Sequence, residues 1–302
     1  MATLRDIRSR IKGVKNTAKI TSAMKMVSFA KLKRAQTAIE SARPYFEKLD
    51  MILSNVSSTL GTDYQNLLLK QSDDIKNILL IVVTSDRGLC GSFNTNLLKE
   101  AQHLVNVQFP IDYPGAKTRI IAIGRKSIGF LKKRNYDVTA EFPGIFADLN
   151  FAVAQQIVES FQVDFADGKY DKIMLLGNEF INVMKQEPRL RNILPIESGE
   201  SISIGKKKNV EKTTNTNYIF EPDKKGILDE LLPKLVNIKI WRSLLESNAA
   251  EQAARRFAMD NATRNAKELI SALELQYNKA RQASITTEML EIVGGAESLR
   301  AH

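Results

Sequence analysis

The chain has 302 residues, of which 43% are hydrophobic and 26% charged, and its formal net charge is +10. A chain of this size and composition can bury a sizeable core in one or two domains and is not expected to be disordered. It has no apolar run of roughly 18 residues, so we expect no segment that spans a membrane. A single cysteine, Cys90, excludes an internal disulfide, and only His103 and His302 accompany it, so no Cys/His metal site is expected.

Most of the positive charge lies at the N-terminus. Residues 1–34 carry ten Lys or Arg and one acid, Asp6. Exposed coiled coils usually mix both signs, because opposite charges at positions i and i+4 attract each other. A segment so poor in acids favours a negative partner, which could be nucleic acid, lipid headgroups or an acidic protein surface. Few aromatic residues interleave with the charges, which argues against a surface that stacks on bases, although nucleic acid stays open as a partner.

The same segment has the pattern of a long amphipathic helix. Thr3 followed by Asp6 predicts a capping box at its beginning. Residues at alternating spacings of three and four then predict the seam of a coiled coil, formed by Leu4, Ile7, Ile11, Val14, Ala18, Thr21, Lys25, Ser28, Leu32, Ala35, Ile39 and Ala42. Where the seam turns polar, the apolar residues move off it, to Met24, Met26, Val27 and Phe29. We expect this stretch to touch a second surface besides its helical partner.

The middle of the chain alternates short apolar runs with helical segments. Three runs of the kind found in buried strands lie at residues 78–83, 119–124 and 172–177. Helical patterns lie at residues 126–134 and 151–165. Strands that alternate with helices at this spacing predict a small, mostly parallel α/β sheet.

A long helical pattern occupies the C-terminal part of the chain, after the polar residues 198–217, which predict a loop. The pattern begins at about Pro222 and holds to Val293, and Gly294 with Gly295 is predicted to end it. Alanines recur along it, and small side chains let a neighbouring helix approach closely. We therefore expect this helix to pack on the N-terminal one.

The predicted fold is of the α/β class, with an α/β domain inserted between two terminal helices that form a rod. The predicted boundaries are residues 1–60 for the first helix, 61–221 for the inserted domain and 222–302 for the last helix.

Few residues could carry chemistry. Residues 86–92 follow a strand and precede a helix, where nucleotide-binding folds hold phosphate, but their glycine spacing matches neither common phosphate-binding motif. We therefore favour a tight turn capped by Ser92. Cys90 near a helix N-terminus could be a nucleophile, but no Asp/His arrangement supports that role. We expect no catalytic residue, cofactor or metal in this chain.

Several segments match the motifs of a known family in their order along the whole chain. Near the N-terminus these segments are Ile7–Ile11 and Thr17–Val27, and in the middle the segment is Thr84–Asn94. The remaining matches are Tyr218–Pro222, Leu231–Pro233, Asn278–Thr286, Glu288 and Glu291–Ala296. Together they resemble the gamma subunit of rotary, F-type ATP synthases.

The resemblance implies an antiparallel coiled coil of the N- and C-terminal helices with an inserted small Rossmann-like α/β domain. It implies a non-catalytic rotor-stalk subunit that transmits torque and so couples ion flow to ATP synthesis or hydrolysis. The implied partners are the alpha and beta subunits of a catalytic hexamer, the epsilon subunit and the membrane c-ring, with no nucleic acid and no cofactor. The implied location is the cytoplasmic face of the bacterial inner membrane, as a peripheral protein.

The resemblance also implies which residues meet the partner subunits. Met24 and Lys25 are expected near the contact with the beta subunit. Five residues are expected where the last helix meets the catalytic subunits, namely Arg255, Arg281, Gln282, Thr286 and Glu288. An apolar tip is expected to turn within the upper bearing of the hexamer, and it consists of Met289, Leu290, Ile292 and Val293. The alternatives are a basic coiled-coil protein that binds nucleic acid and a nucleotide-dependent α/β enzyme.

Overall fold

The computed structural model describes residues 3–59, 66–70, 72, 74–182, 185–196 and 223–300. The chain divides into two compact units, one of residues 1–28 and 256–302 and the other of residues 29–255. The boundaries expected after residues 60 and 221 lie outside the described residues, so they stay predictions. Within the described ranges, no helix is long and apolar enough to cross a membrane.

Helix α1 (Leu4–Thr59) begins with the predicted capping box. The Thr3 amide donates to Asp6 Oδ2 at 3.1 Å, and the Asp6 amide donates to Thr3 Oγ1 at 3.3 Å. These bonds satisfy groups that the first turn of a helix leaves without an intrahelical partner. Hydrogen bonding with Thr3 also holds the pKa of the Asp6 carboxyl below its ordinary value. The predicted beginning of the helix is confirmed.

In the first unit, the seam of α1 packs against α6 (Lys224–Arg300). Ile7, Thr21 and Ser28 of the seam are buried. Side-chain contacts join the two helices, among them Lys15 to Glu274 at 2.7 Å, Thr21 to Thr263 at 2.8 Å and Lys25 to Asp260 at 2.6 Å. Because the partner numbers on α6 fall as those on α1 rise, the helices are antiparallel, and the predicted coiled-coil pairing is confirmed.

In the second unit, an apolar cluster joins the same two helices. It is formed by Leu32, Ala35 and Ile39 of α1 with Leu245, Ala249 and Ala253 of α6. Small side chains let the helices approach closely, and dense packing of this kind supplies most of the stability of a helix pair. The prediction that the alanine-rich helix packs on the N-terminal helix is therefore confirmed.

Five strands form one sheet in the second unit, in the order β3-β2-β1-β4-β5. The strands are β1 (Asn77–Val83), β2 (Lys117–Ile123), β3 (Val138–Phe142), β4 (Lys172–Phe180) and β5 (Gln186–Leu194). The first four are parallel, and β5 pairs with β4 in the antiparallel sense. The strands predicted from the sequence are the three central ones, and the mostly parallel Rossmann-like sheet is confirmed.

Helices cover both faces of this sheet. They are α2 (Phe93–His103), α3 (Phe109–Asp112), α4 (Arg125–Lys133) and α5 (Phe151–Ala166), together with part of α6. Leu79 and Ile81 of β1 lie in a core with residues of α5 and α6, whereas Ile78 and Leu80 lie in a core with residues of α2 and α4. A strand buried on both faces has no polar side to alternate with, so β1 is a continuous apolar run in the sequence.

Helix α6 runs to Arg300 and contains both Gly294 and Gly295. The prediction that these glycines end the helix was wrong. Neither has the positive φ of a glycine that ends a helix. Glycine inside a helix costs about 1 kcal/mol relative to alanine, which a helix of this length tolerates. The helix begins at Lys224, close to the beginning expected near Pro222, whereas the loop expected at residues 198–217 lies outside the described residues.

Gly124, which joins β2 to α4, has a φ of +90°. A Cβ atom at this position would lie 2.2 Å from the carbonyl oxygen of Thr84, so neither the backbone conformation nor the space suits alanine. We expect Gly124→Ala to lower the free energy of unfolding by about 1–3 kcal/mol. Urea unfolding of the purified chain, followed by circular dichroism, measures the change.

Gly129 supplies the matched control, because it lies in α4 with nothing within 4 Å of the place where a Cβ would lie. Gly129→Ala is expected to leave the free energy of unfolding unchanged or to raise it by up to about 1 kcal/mol, since alanine favours the helix. Equal stability of the two variants would contradict the constraint described for Gly124.

Candidate functional site

Most of the basic side chains of the N-terminal segment form no ion pair with the acids that the structure describes. Lys15 and Lys25 form ion pairs with Glu274 and Asp260. The other eight are exposed and form no ion pair with any residue that the structure describes; they are Arg5, Arg8, Arg10, Lys12, Lys19, Lys31, Lys33 and Arg34. Like charges on one helix repel each other, so this surface is more stable beside a negative partner.

Lys25, one of the expected contact residues, lies in the seam of α1. Its Nζ is 2.6 Å from Asp260 Oδ1, and this contact holds the pKa of the Asp260 carboxyl below its ordinary value. Both side chains are partly exposed, and such pairs typically contribute about 0–1 kcal/mol to stability. Lys25 can therefore exchange Asp260 for the acid of a partner at little cost. Met24, beside it, is half-buried.

Apolar side chains near Lys25 lie away from the seam and point to solvent. In the first unit Ile20, Met26 and Val27 are exposed. Phe29, in the second unit, is exposed as well. The expectation that apolar residues leave the seam here is confirmed, while the identity of the second surface stays a prediction.

The last turns of α6 extend past the beginning of α1. Since Lys15 pairs with Glu274 and α1 begins at Leu4, the residues of α6 after about Ile285 have no partner on α1. Four of the expected contact residues are exposed at or near this end, namely Arg281, Gln282, Thr286 and Glu288. The expected tip is 59–72% exposed and consists of Met289, Leu290, Ile292 and Val293. These eight residues are thus brought together at one accessible end of α6.

Arg255 is placed differently from the other expected contact residues. It is buried in the second unit. Its guanidinium donates to the carbonyl oxygens of Gly88 and Arg87 and to Glu251, with an Nη2–Oε1 distance of 2.5 Å to the last of these. The structure therefore places Arg255 against the turn between β1 and α2 and not at the accessible end of α6.

The turn between β1 and α2 is held by its own polar side chains. Asn94 Oδ1 accepts from the amide of Ser85 at 3.0 Å, and Asp86 Oδ1 accepts from the amides of Arg125 at 3.0 Å and Gly144 at 2.8 Å. Ser92 occupies the N-cap position of α2, as predicted, and its carbonyl accepts from the Asn96 amide at 2.8 Å, but its hydroxyl makes no cap hydrogen bond. Asn94, and not Ser92, binds the backbone of this turn through its side chain.

Backbone groups at this turn and at the neighbouring beginning of α4 already bind partners within the chain. At the beginning of α4 the Arg125 amide, which could bind an anion, already binds the carboxylate of Asp86. Ala250 of α6 packs with Cys90 and Phe93 at the turn. Burial raises the pKa of the Cys90 thiol, which leaves it protonated and a poor nucleophile. Among the described residues, no group of His, Cys, Asp or Glu is arranged to hold a metal ion.

Two buried carboxylates on α6 were not anticipated from the sequence. Glu246 lies 2.5 Å from Arg191 and 2.8 Å from Arg242, and Glu251 pairs with Arg255. Burial raises the pKa of Glu251, although Arg255 opposes the shift. One sequence signal for these ion pairs existed: both Glu246 and Glu251 have an arginine four positions away on the same helix.

Comparisons with known proteins agree with this arrangement. A family model described as ATP synthase matches residues 3–299 of the chain. Relatives named ATP synthase gamma chain include that of Chlorobaculum tepidum, 45% identical over 302 residues, which are 99% of this chain and 100% of the relative. The corresponding protein of Chloroherpeton thalassium is 46% identical over 301 residues, 99% of each chain.

Solved structures share the fold at lower identity. A chain in the rotor of the mitochondrial ATP synthase of Euglena gracilis is 20% identical, with a TM-score of 0.64 over 93% of this chain and 98% of that chain. A second structure of the same synthase gives a TM-score of 0.67 at 20% identity, over 99% of this chain and 95% of that chain. The family model and the relatives, matched along nearly the whole length, decide the assignment: the chain belongs to the ATP synthase family and, within it, to the gamma chains.

Proposed function

We propose that the chain is the central rotor-stalk subunit of an F-type ATP synthase. It transmits torque between a membrane c-ring and a catalytic hexamer of alpha and beta subunits, and it catalyses no reaction itself. The proposal rests on the relationship to gamma chains over nearly the whole length of the chain. Torque transmission couples ion flow to the synthesis or hydrolysis of ATP.

The exposed surface of the two helices supplies the contacts that a rotating shaft needs. The resemblance to gamma subunits implies an acidic loop on each beta subunit. We propose that Lys25 and the eight cations of α1 that form no ion pair with the described residues meet these loops in turn. Arg281, Gln282, Thr286 and Glu288 contact the catalytic subunits. The apolar tip, which is exposed in the structure, turns inside the hexamer and consists of Met289, Leu290, Ile292 and Val293. A contact that fits one conformation of a beta subunit better than another shifts that subunit toward it.

The α/β sheet and its helices are assigned a different set of partners. We propose that they meet the epsilon subunit and the c-ring, which holds the chain at the cytoplasmic face of the bacterial inner membrane as a peripheral protein. This assignment is supported by the relationship to gamma chains.

Co-purification tests the proposed function. A tagged copy of the chain, produced in cells that make the complete synthase, is expected to recover alpha and beta subunits together with ATPase activity that the isolated chain lacks. Retention on DNA without alpha or beta subunits would instead favour a nucleic-acid-binding protein. Nucleotide binding by the isolated chain would favour an α/β enzyme. Either of these outcomes would overturn the proposal.

Charge reversal at Lys25 tests the contact with the beta subunit. Lys25→Glu is expected to lower ATP-driven ion uptake several-fold, because the new carboxylate repels both Asp260 and the acidic loop of the partner. The amounts of alpha and beta subunits in the complex should stay unchanged. Ion uptake and ATP hydrolysis are measured together in inverted membrane vesicles.

Two further variants separate this contact from the pair within the chain. Lys15→Glu loses a similar ion pair, with Glu274, at a residue that is not among the expected contacts, so its ion uptake should stay close to that of the parent. Combining Lys25→Glu with Asp260→Lys restores an ion pair within the chain, with the two charges exchanged. Ion uptake by this variant should stay low, because position 25 still carries a negative charge. Normal ion uptake by Lys25→Glu, or full recovery of uptake in the combined variant, would show that Lys25 has no role beyond its ion pair with Asp260.

A further inference from the structure

The face of α6 that packs on the sheet carries two buried clusters of arginine and carboxylate groups. The β5 cluster consists of Arg242 and Glu246 of α6 with Arg191 of β5. The turn cluster consists of Glu251 and Arg255 of α6 with the carbonyl groups of Arg87 and Gly88 in the turn between β1 and α2. Both clusters lie within the second unit.

The β5 cluster ties α6 to the antiparallel edge of the sheet. The side chain of Glu246 is 6% exposed, and its two oxygens accept separately from Arg191 and Arg242. Arg191 also donates to Ser243 Oγ at 3.4 Å and lies 3.6 Å from Glu179 of β4. Two strands of the sheet are thereby joined to one turn of α6.

The turn cluster ties α6 to a different part of the sheet. The Arg255 side chain is 10% exposed, and its planar guanidinium bonds to Glu251 and to two successive backbone carbonyls. A guanidinium presents several donors in a fixed geometry, so these bonds fix the direction of the side chain. Ala250 packs with Cys90 and Phe93 beside it.

Stability alone does not account for these clusters. Removing charges from water is costly, and buried ion pairs can often be replaced by apolar residues without loss of stability. Apolar contacts, however, are non-directional. Hydrogen-bonded ion pairs require particular angles, and two of them on one helix, bonded to β5 and to the turn after β1, oppose rotation of the helix about its own axis.

We propose that the β5 cluster and the turn cluster form a clamp that fixes the rotational position of α6 on the sheet, so that torque passes between them without slip. Glu246, Glu251 and Arg255 are therefore positioning residues for energy coupling. The inference rests on the proposed rotor function and adds to it the place where the α/β fold holds the shaft helix.

The test uses the complete synthase in inverted membrane vesicles and measures ion uptake per ATP hydrolysed. Glu246→Gln combined with Glu251→Gln removes the negative charge from both clusters, leaves the arginines without an ion-pair partner in them and preserves side-chain size. We expect ATP hydrolysis to continue while uptake per ATP falls several-fold, and we expect each single variant to lose less. The amount of this chain in each complex is measured in parallel, so that poor folding is recognised.

Arg255→Lys provides a milder variant in case the double variant fails to assemble. Lysine keeps the charge beside Glu251, but its single ammonium cannot reproduce the fork that reaches both carbonyls. Uptake per ATP should therefore fall in assembled complexes. Glu230→Gln is the matched control, because Glu230 lies on the same helix in a pair with Lys234 but is 78% exposed. Its ion uptake per ATP hydrolysed should equal that of the parent.

The outcomes separate the clamp from the rotor function. A purely structural role predicts fewer assembled complexes with a normal ratio of uptake to hydrolysis. A normal ratio in Arg255→Lys, and in the double variant if it assembles, would overturn the clamp and leave the rotor function intact. A parent chain that fails to join the synthase, or that supports no ATP-driven uptake, would instead overturn the rotor function.

Discussion

The burial of the part of α6 that lies in the second unit is the constraint on which the rest of the structure depends. Within the second unit, Leu245 and Ala249 pack against α1, while Val236 and Leu244 belong to the core under the sheet. Residues three or four positions apart share one face of a helix, so a single helix can serve two neighbours through different faces. The coiled coil and the α/β fold of this unit are therefore stabilised by the same element, and a change in its orientation affects both.

Much of this fold could be predicted because its main elements carry strong periodic signals. The seam of α1 and the three central strands are continuous or periodic apolar patterns that follow from burial. The edge strands β3 and β5 could not be predicted in the same way, because β3 alternates half-buried with exposed residues and β5 carries Gln186, Glu187 and two arginines. The end of α6 was misjudged because the small cost of two glycines does not break a long helix.

The candidate site also has a part that could be predicted from the sequence and a part that could not. The sequence was sufficient to nominate the exposed residues around Thr286. Their exposure follows from local helix geometry, and their expected role follows from the resemblance to gamma subunits. The surroundings of Arg255 were not predictable, because its carbonyl partners lie 167 and 168 positions earlier in the chain. Long-range contacts of this kind depend on the complete fold. The four-residue spacing between Glu251 and Arg255 was the one local sign that a buried pair exists here.

Rotation of the chain inside the synthase tests the central claim most directly. Val163 of α5 is 66% exposed, so Val163→Cys places a reactive thiol on the surface, while Cys90 remains buried and unlabelled. A bead attached at this cysteine, on complexes fixed through the alpha and beta subunits, reports the motion of the α/β fold. The account predicts rotation in one direction when ATP is added. A stationary bead on complexes that hydrolyse ATP would contradict it.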